Sequence, residues 1–363
     1  MDVGFLTSWN DRCGIAEYSR HLVDALRERV GVEVVPATFL RSPRSVYSAM
    51  GSALNLWEVA HVQHSYAFFG GMHPLRSGWG ALAGALSRPM LLTVHELDTT
   101  ATGAYRLPPA VEVAYKRSFN RSVFLHRAVG GWIVHAAALR DALVELGAPE
   151  ERVLYRPLPM SPPPARVPNA AGIRKSLRLE GKRVLVILGF LSRRKGYDLA
   201  LQALRSLPPE YVLVAAGGEH ASDQSGTAEW LRGEATRAGV EDRLRVTGYL
   251  AEEALDDITA LADVILAPFR GMSASASLVY SLARRKAVIA SDLPENRTLD
   301  CVRLFPTGDA AALATAIREV TAAPALRRDL EQRAAGYASA HGFSALADET
   351  IRVYEDLLQE KKQ

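Results

Sequence analysis

"RVLVILGFLSRRKGYDLALQAL", Arg183 to Leu204, decides the fold class. It begins as a run of Val, Leu and Ile without polar alternation, the pattern of a parallel strand buried on both faces. The run ends at Gly189, a basic loop follows, and the loop opens a helix. Strand, loop and helix in that order make one repeat of an α/β fold.

The repeat recurs from end to end. In the first half the apolar runs are "VGFLTS", "VEVVPATF", "VAHVQH", "MLLTVHE", "GGWIVHA" and "VLYRPL". In the second half they are "RVLVILGFL", "YVLVAAGG", "LRVTGYL", "DVILAPF", "AVIASD" and "VRLFPTG". Between runs the spacing is helical: after Gly14, residues Ile15, Tyr18, Leu22, Ala25 and Leu26 share one face. The proline-rich segment "MSPPPARVPN" separates the halves and reads as a linker. A length of 363 residues also favours two domains. The expectation is two Rossmann-like domains, residues 1–160 and 171–340, joined by a linker over 161–170. The helical stretch over 341–363 is a candidate to cross back onto the first domain. Ligands of such sheets bind beyond the carboxyl ends of the strands, so two such edges facing each other would form a cleft.

Composition narrows the function. The formal net charge of +3 does not argue for nucleic acid, and no RNP, zinc-finger or basic-arm pattern is present. Arginine exceeds lysine, which reads as genome base composition ahead of a basic surface that meets phosphates or anionic lipid. Cys13 and Cys301 lie far apart, as in a reducing compartment, and supply no disulfide framework or metal pattern. "MDVGFLTS" lacks the features of a signal peptide, and no apolar run is long enough to cross a bilayer. The expectation is a cytoplasmic protein that meets a membrane, if at all, peripherally at its inner face.

Several strand ends carry candidate chemistry. Arg193, Arg194 and Lys195 stand near a helix N-terminus, where fixed cations and exposed N–H groups make an anion site. A solvated charge run is the other reading, and position at a strand end favours the site. Gly14 opens a helix after the first strand, a weak signal for a tight turn or close ligand approach. No GxGxxG or GxxxxGK[ST] follows any strand, which argues against a dinucleotide oxidoreductase or P-loop NTPase. His95 ends a strand beside Glu96 and Asp98. His61, His64 and His135 occupy similar places, and none has metal-ligand spacing, so no metal is expected. No G-x-S-x-G elbow is present. Gly217 and Gly218 suit a turn or the close approach of a nucleotide. In "FRGMSASASLVYSLARRKAVIASD", Phe269 to Asp292, small hydroxyl residues lead into a helix, and no acid appears before Asp292.

Together these pieces resemble the GT4-like family of GT-B glycosyltransferases, along nearly the whole chain. "WNDRCGIAEYSRHLVDAL" resembles the family's first glycine loop and helix. "GFLSRRKGYDLALQAL" resembles its phosphate loop, of the form G-R-x-x-x-x-K-G. "VTGYLAEEALDDITALADVILAPF", with Tyr249 and Leu250, is similar to the stretch leading to the nucleotide site. "RKAVIASDLPENRTL" is similar to its "g-x-P-V-I-A-S-d" segment. The resemblance implies a GT-B fold, two Rossmann-like domains facing across a cleft. It implies sugar transfer from a UDP- or GDP-linked donor to an acceptor, with retained configuration, no cofactor and no required metal. Protein cations would then neutralise the leaving diphosphate. Lys195 matches the family lysine, His95 a histidine near the donor sugar, and Gly14 the loop beside the phosphates.

The chain also departs from the pattern. Phe190 stands at the family's arginine position, which leaves Arg193 or Arg194 to supply that charge. Met272 and Tyr280 stand where many relatives carry two glutamates eight positions apart. A subgroup with a Ser/Gly-rich loop is the nearer match. Small residues at a helix N-terminus offer N–H groups and hydroxyls to a phosphate, with Ser273, Ser275 and Ser277 as candidates. A plain serine N-cap is the other reading. The missing glutamates also raise a second function: a catalytically silent homologue that binds sugar nucleotide or serves as a scaffold. An epimerase or phosphorylase ranks third.

Overall fold

A computed structural model describes the chain apart from residues 10–12, 38–41, 74–76, 104, 161–162, 164–165, 220–225, 272–274 and 361–363. All twelve apolar runs named above form strands, and every pairing within the two sheets is parallel. The chain divides into two compact units, Met1–Pro159 with Phe343–Gln363, and Met160–Gly342.

The first unit holds β1 (Asp2–Thr7), β2 (Gly31–Pro36), β3 (Val59–His64), β4 (Met90–Val94), β5 (Val129–Val134) and β6 (Val153–Tyr155). Their order across the sheet is β2-β1-β3-β4-β5-β6. The direction of winding reverses between β1 and β3, which makes a switch point at the carboxyl ends of those strands. β3 and β4 are buried along their whole length, as continuous apolar runs covered on both faces should be. The helix Gly14–Arg27 buries Tyr18, Leu22 and Leu26. One core cluster joins these to Val3, Phe5 and Tyr354. Tyr354 comes from the C-terminal helix Phe343–Glu360, so the last stretch of chain completes the core of the first unit.

The second unit holds β7 (Arg183–Leu188), β8 (Tyr211–Ala216), β9 (Leu244–Val246), β10 (Val264–Ala267), β11 (Val288–Ser291) and β12 (Val302–Phe305). The order β12-β11-β10-β7-β8-β9 is that of a dinucleotide-binding Rossmann sheet. Its switch point lies between β7 and β10, so the loops after these strands are the ones free to line a ligand site. Apolar clusters cover both faces, one including Leu185, Ile187 and Tyr197, the other Val184, Val186 and Leu278. Alternate residues of β7 feed alternate clusters, as strand geometry requires.

Among the described residues, no helix is long and apolar enough to cross a membrane.

Candidate functional site

The site of the second unit is built at the carboxyl end of β7. Gly189 follows that strand in the left-handed region (φ +89°) and turns the chain over the sheet edge. Ser192 Oγ then accepts a hydrogen bond from the Arg194 N–H, which closes a single 3-10 turn over Arg193–Lys195. Gly196 (φ +68°) ends the turn and begins the helix Tyr197–Arg205. A Cβ at Gly196 would overlap the Pro268 carbonyl oxygen after β10. Glycine is therefore required twice over here, by backbone conformation and by close approach.

This turn points Lys195 back over its own strand. Its Nζ donates to the Leu188 carbonyl oxygen, and the side chain is buried. Among the described residues it has no carboxylate partner. Desolvation without a counter-charge lowers its pKa from 10.5 to about 8. Gly189 lies against the Lys195 ammonium and, at 3.6 Å from its would-be Cβ, against Ser277. Ser277 sits in the helix Ala276–Ala283 that follows β10. Ser275 caps that helix by accepting from the Leu278 N–H at 3.2 Å, and its Oγ lies 3.1 Å from Ser277 Oγ. Lys195, Gly189, Ser275 and Ser277 thus converge across the switch point, although up to 88 residues separate them in sequence. Ser273 and Met272 lie outside the described residues.

The remaining candidates of this unit surround that centre. Arg193 and Arg194 are exposed. The Arg193 guanidinium lies 5.0 Å over the Trp230 ring, a cation–π contact that holds it in place. Gly217 and Gly218 meet protein backbone at the sheet edge. A Cβ at Gly217 would overlap the Gly189 carbonyl, and one at Gly218 would stand 2.6 Å from the Tyr249 nitrogen. The pair therefore brings the loops after β7, β8 and β9 into contact. Tyr249 is about half exposed (53%), and its ring centroid lies 6.4 Å from that of Phe190. Leu250 packs against the apolar cluster beneath.

Tyr280 faces inward. Its hydroxyl donates to Asp256, Arg284 Nε donates to the same carboxylate at 2.7 Å, and the guanidinium lies 3.5 Å from the Tyr280 ring centroid. This cluster ties the helix Ala276–Ala283 to the helix Glu252–Leu261. Only the pairing of a tyrosine with an acid and an arginine on separate helices reveals it, and sequence spacing carries no trace of that.

In the first unit the candidates lie at the carboxyl ends of β1, β3, β4 and β5. Gly14 opens the helix Gly14–Arg27, and Cys13 Sγ accepts from the Ala16 N–H at 3.4 Å as its cap. A Cβ at Gly14 would meet nothing within 4 Å among the described residues. His95 is half-buried after β4, with Nε2 2.7 Å from Gln63 Oε1. Its ring stands edge-on to Tyr18 at 5.3 Å. Burial, with His135, His64 and His61 nearby, lowers its pKa to about 3, so the imidazole is neutral. Farther along the same edge, Lys116 is fully buried between Asp98 (2.8 Å) and Glu112 (3.0 Å). Glu112 also accepts from the Thr102 and Gly103 N–H groups. These contacts fix the loop that follows His95.

Residues 170–336 match the family model described as glycosyl transferases group 1. This segment is a group 1 glycosyl transferase domain. The glycosyl transferase domain contains Lys195, Ser275, Ser277 and the whole sheet that positions them. Among curated relatives, the chain is similar to the mannosylfructose-phosphate synthase of Agrobacterium fabrum. The two are 28% identical over 169 residues, 43% of this chain and 36% of that protein. It is also similar to the phosphatidyl-myo-inositol mannosyltransferase of Mycobacterium leprae, 29% identical over 48% of this chain and 46% of that protein. The chain thus matches less than half the length of each. Across nearly its whole length its fold is that of the sucrose-phosphate synthase of Thermosynechococcus elongatus (TM-score 0.74, 17% identity, 99% of both chains). It is equally that of Anabaena HepE in complex with UDP-glucose (TM-score 0.74, 15% identity, 97% of this chain and 99% of that one). At these identities the likeness establishes the GT-B fold that the motifs implied.

Proposed function

We propose that the protein transfers a sugar from a nucleoside diphosphate sugar to a hydroxyl-bearing acceptor, with retention of configuration and without a required metal. The observation that carries this reading is the buried Lys195 ammonium, which has no carboxylate partner among the described residues and faces Gly189 and Ser277 at the Rossmann switch point. A buried cation without a counter-charge is costly, and an anionic ligand supplies the missing charge. The N-terminus of the helix Ala276–Ala283 and the Ser275 and Ser277 hydroxyls add donors for the same phosphates.

In this reading Lys195 and Arg194 stabilise the negative charge that develops on the diphosphate as the glycosidic bond breaks. Those protein cations are what support metal independence. By the family resemblance, Gly14 and His95 are the first unit's candidates for the donor phosphates and a sugar hydroxyl. Arg193, Gly217, Gly218, Tyr249, Leu250 and Ser273 complete the donor site, the two glycines by holding its loops together. UDP- and GDP-linked sugars both fit the chemistry of the site. Residence in the cytoplasm, with peripheral contact at the inner membrane face, remains part of the proposal.

The test is calorimetry with UDP, GDP and ADP, followed by slow hydrolysis of the sugar nucleotide that binds best. Release of free sugar by the wild type and its loss in Lys195→Ala are expected; no binding of any nucleoside diphosphate refutes the reading. One observation favours the second reading, a silent sugar-nucleotide-binding homologue. Tyr280 turns into the Asp256–Arg284 cluster and presents no carboxylate to a ribose. Tight binding with equal inertness of wild type and Lys195→Ala selects that alternative.

A further inference from the structure

A chain of buried polar side chains runs inward from His95. His95 Nε2 meets Gln63 Oε1 at 2.7 Å, and Gln63 Nε2 meets His61 Nε2 at 3.2 Å. His61 Nε2 also lies 2.7 Å from Thr93 Oγ1, and its Nδ1 lies 2.5 Å from the Tyr354 hydroxyl. Gln63, His61, Thr93 and Tyr354 are all fully buried. They come from β3, β4 and the C-terminal helix, so the chain is assembled only by the tertiary fold.

A neutral imidazole has one N–H and one lone pair, and its partners decide which nitrogen carries which. The Gln63 carbonyl oxygen can only accept, so His95 Nε2 must carry the proton. The Gln63 amino group can only donate, so His61 Nε2 must be the acceptor, and His61 Nδ1–H donates to Tyr354. In this direction the single lone pair of His61 Nε2 is shared by two donors, the Thr93 hydroxyl at 2.7 Å and the Gln63 amino group at 3.2 Å. The amide thus couples the tautomers of two histidines that do not touch.

We propose that Gln63 is a positioning residue that fixes His95 as the neutral Nε2–H tautomer and presents Nδ1 as a hydrogen-bond acceptor. His95 then receives a hydrogen bond from a substrate hydroxyl and does not donate one. The tautomer rests on the orientation of the Gln63 amide, oxygen toward His95 and nitrogen toward His61; only the identity of the hydroxyl rests on the glycosyl-transfer reading.

Nitrogen-15 NMR of the full chain labelled at histidine tests this without any ligand, with His95→Gln used to assign the signals. The wild type is expected to show Nε2 protonated and Nδ1 unprotonated at His95. Gln63→Met, of similar volume but without an acceptor, should lose that signature and give tautomer-averaged signals. Gln63→Glu keeps an acceptor at the same place and should keep Nε2 protonated. A purely structural Gln63 would not separate these two variants. A wild-type His95 protonated at Nδ1 alone, or a Gln63→Met variant that keeps the wild-type signature, overturns the proposal. If the protein turns over a sugar nucleotide, Gln63→Met should lower that rate by about 10-fold, the effect of one misplaced buried hydrogen bond. Failure of turnover in the wild type bears on the glycosyl-transfer reading and leaves the tautomer result standing.

Discussion

Replacing Lys195 with methionine should stabilise the fold at neutral pH and destroy diphosphate binding. Burial lowers the Lys195 pKa from 10.5 to about 8. At about 1.4 kcal/mol per pH unit, holding the ammonium charged at pH 7 costs the folded state about 3 kcal/mol. Methionine removes that cost and also removes the hydrogen bond to the Leu188 carbonyl, worth about 1 kcal/mol. The net expectation is a gain of about 2 kcal/mol. Because the folded state holds Lys195 below its unfolded value, the unfolded chain binds more protons between pH 8 and 10.5. Wild-type stability should therefore rise with pH across that window, and the variant should lack the rise. The assay is a urea titration at pH 7 and pH 10, read by hydrogen exchange of the β7 and β10 amides so that the second unit is followed by itself. A variant less stable than wild type at pH 7, together with a wild type insensitive to pH, refutes the reasoning. A gain in stability coupled to a loss of binding is the signature of a functional strain.

Other outcomes follow from the same geometry. Wild-type affinity for a nucleoside diphosphate should fall about tenfold per pH unit once the pH exceeds about 8, as Lys195 loses its proton; calorimetry across pH 7 to 10 measures it. Gly196→Ala forces a side chain into the left-handed region and onto the Pro268 carbonyl. A loss of about 3 kcal/mol or more is expected in urea, with diphosphate binding lost as the turn moves. Asp256→Ala removes the carboxylate shared by Tyr280 and Arg284, and a loss of about 3 kcal/mol is expected from urea titration. Tyr280→Glu should not recreate the glutamate pattern of relatives, because the new carboxylate would face Asp256. A lower melting temperature and unchanged nucleotide affinity are expected.

Much of the fold was legible in the sequence because parallel strands buried on both faces leave continuous Val, Leu and Ile runs. All twelve runs could be read without knowing which strands pair. The basic loop was legible because arginine, arginine and lysine stand directly after a strand, and the Ser-rich segment because it lacks acids. The glycine pair was legible as a pair, while its purpose was not. Gly217 and Gly218 make room for the neighbouring loops at Gly189 and Tyr249, and those neighbours lie some 30 residues away in either direction. Tyr280 shows the same limit. Its position in an aligned segment suggests a ligand-facing residue, and its side chain instead packs against Asp256 and Arg284. Alignment fixes a place along a helix; the packing of the next helix fixes what the side chain meets.

By itself, then, the sequence determined the local elements, the doubled α/β pattern and the placing of cations and small residues at strand ends. Periodicity and turn chemistry act over a few residues, and that is the range at which sequence is directly readable. Tertiary structure alone decided that Lys195 loses its water, that Ser277 meets Gly189, and that His95 is wired through Gln63 and His61 to the C-terminal helix. Burial and hydrogen-bond direction depend on neighbours brought from distant parts of the chain. The burial of a lysine and the hydrogen-bond partners of a histidine are therefore fixed only when the sheet closes around them.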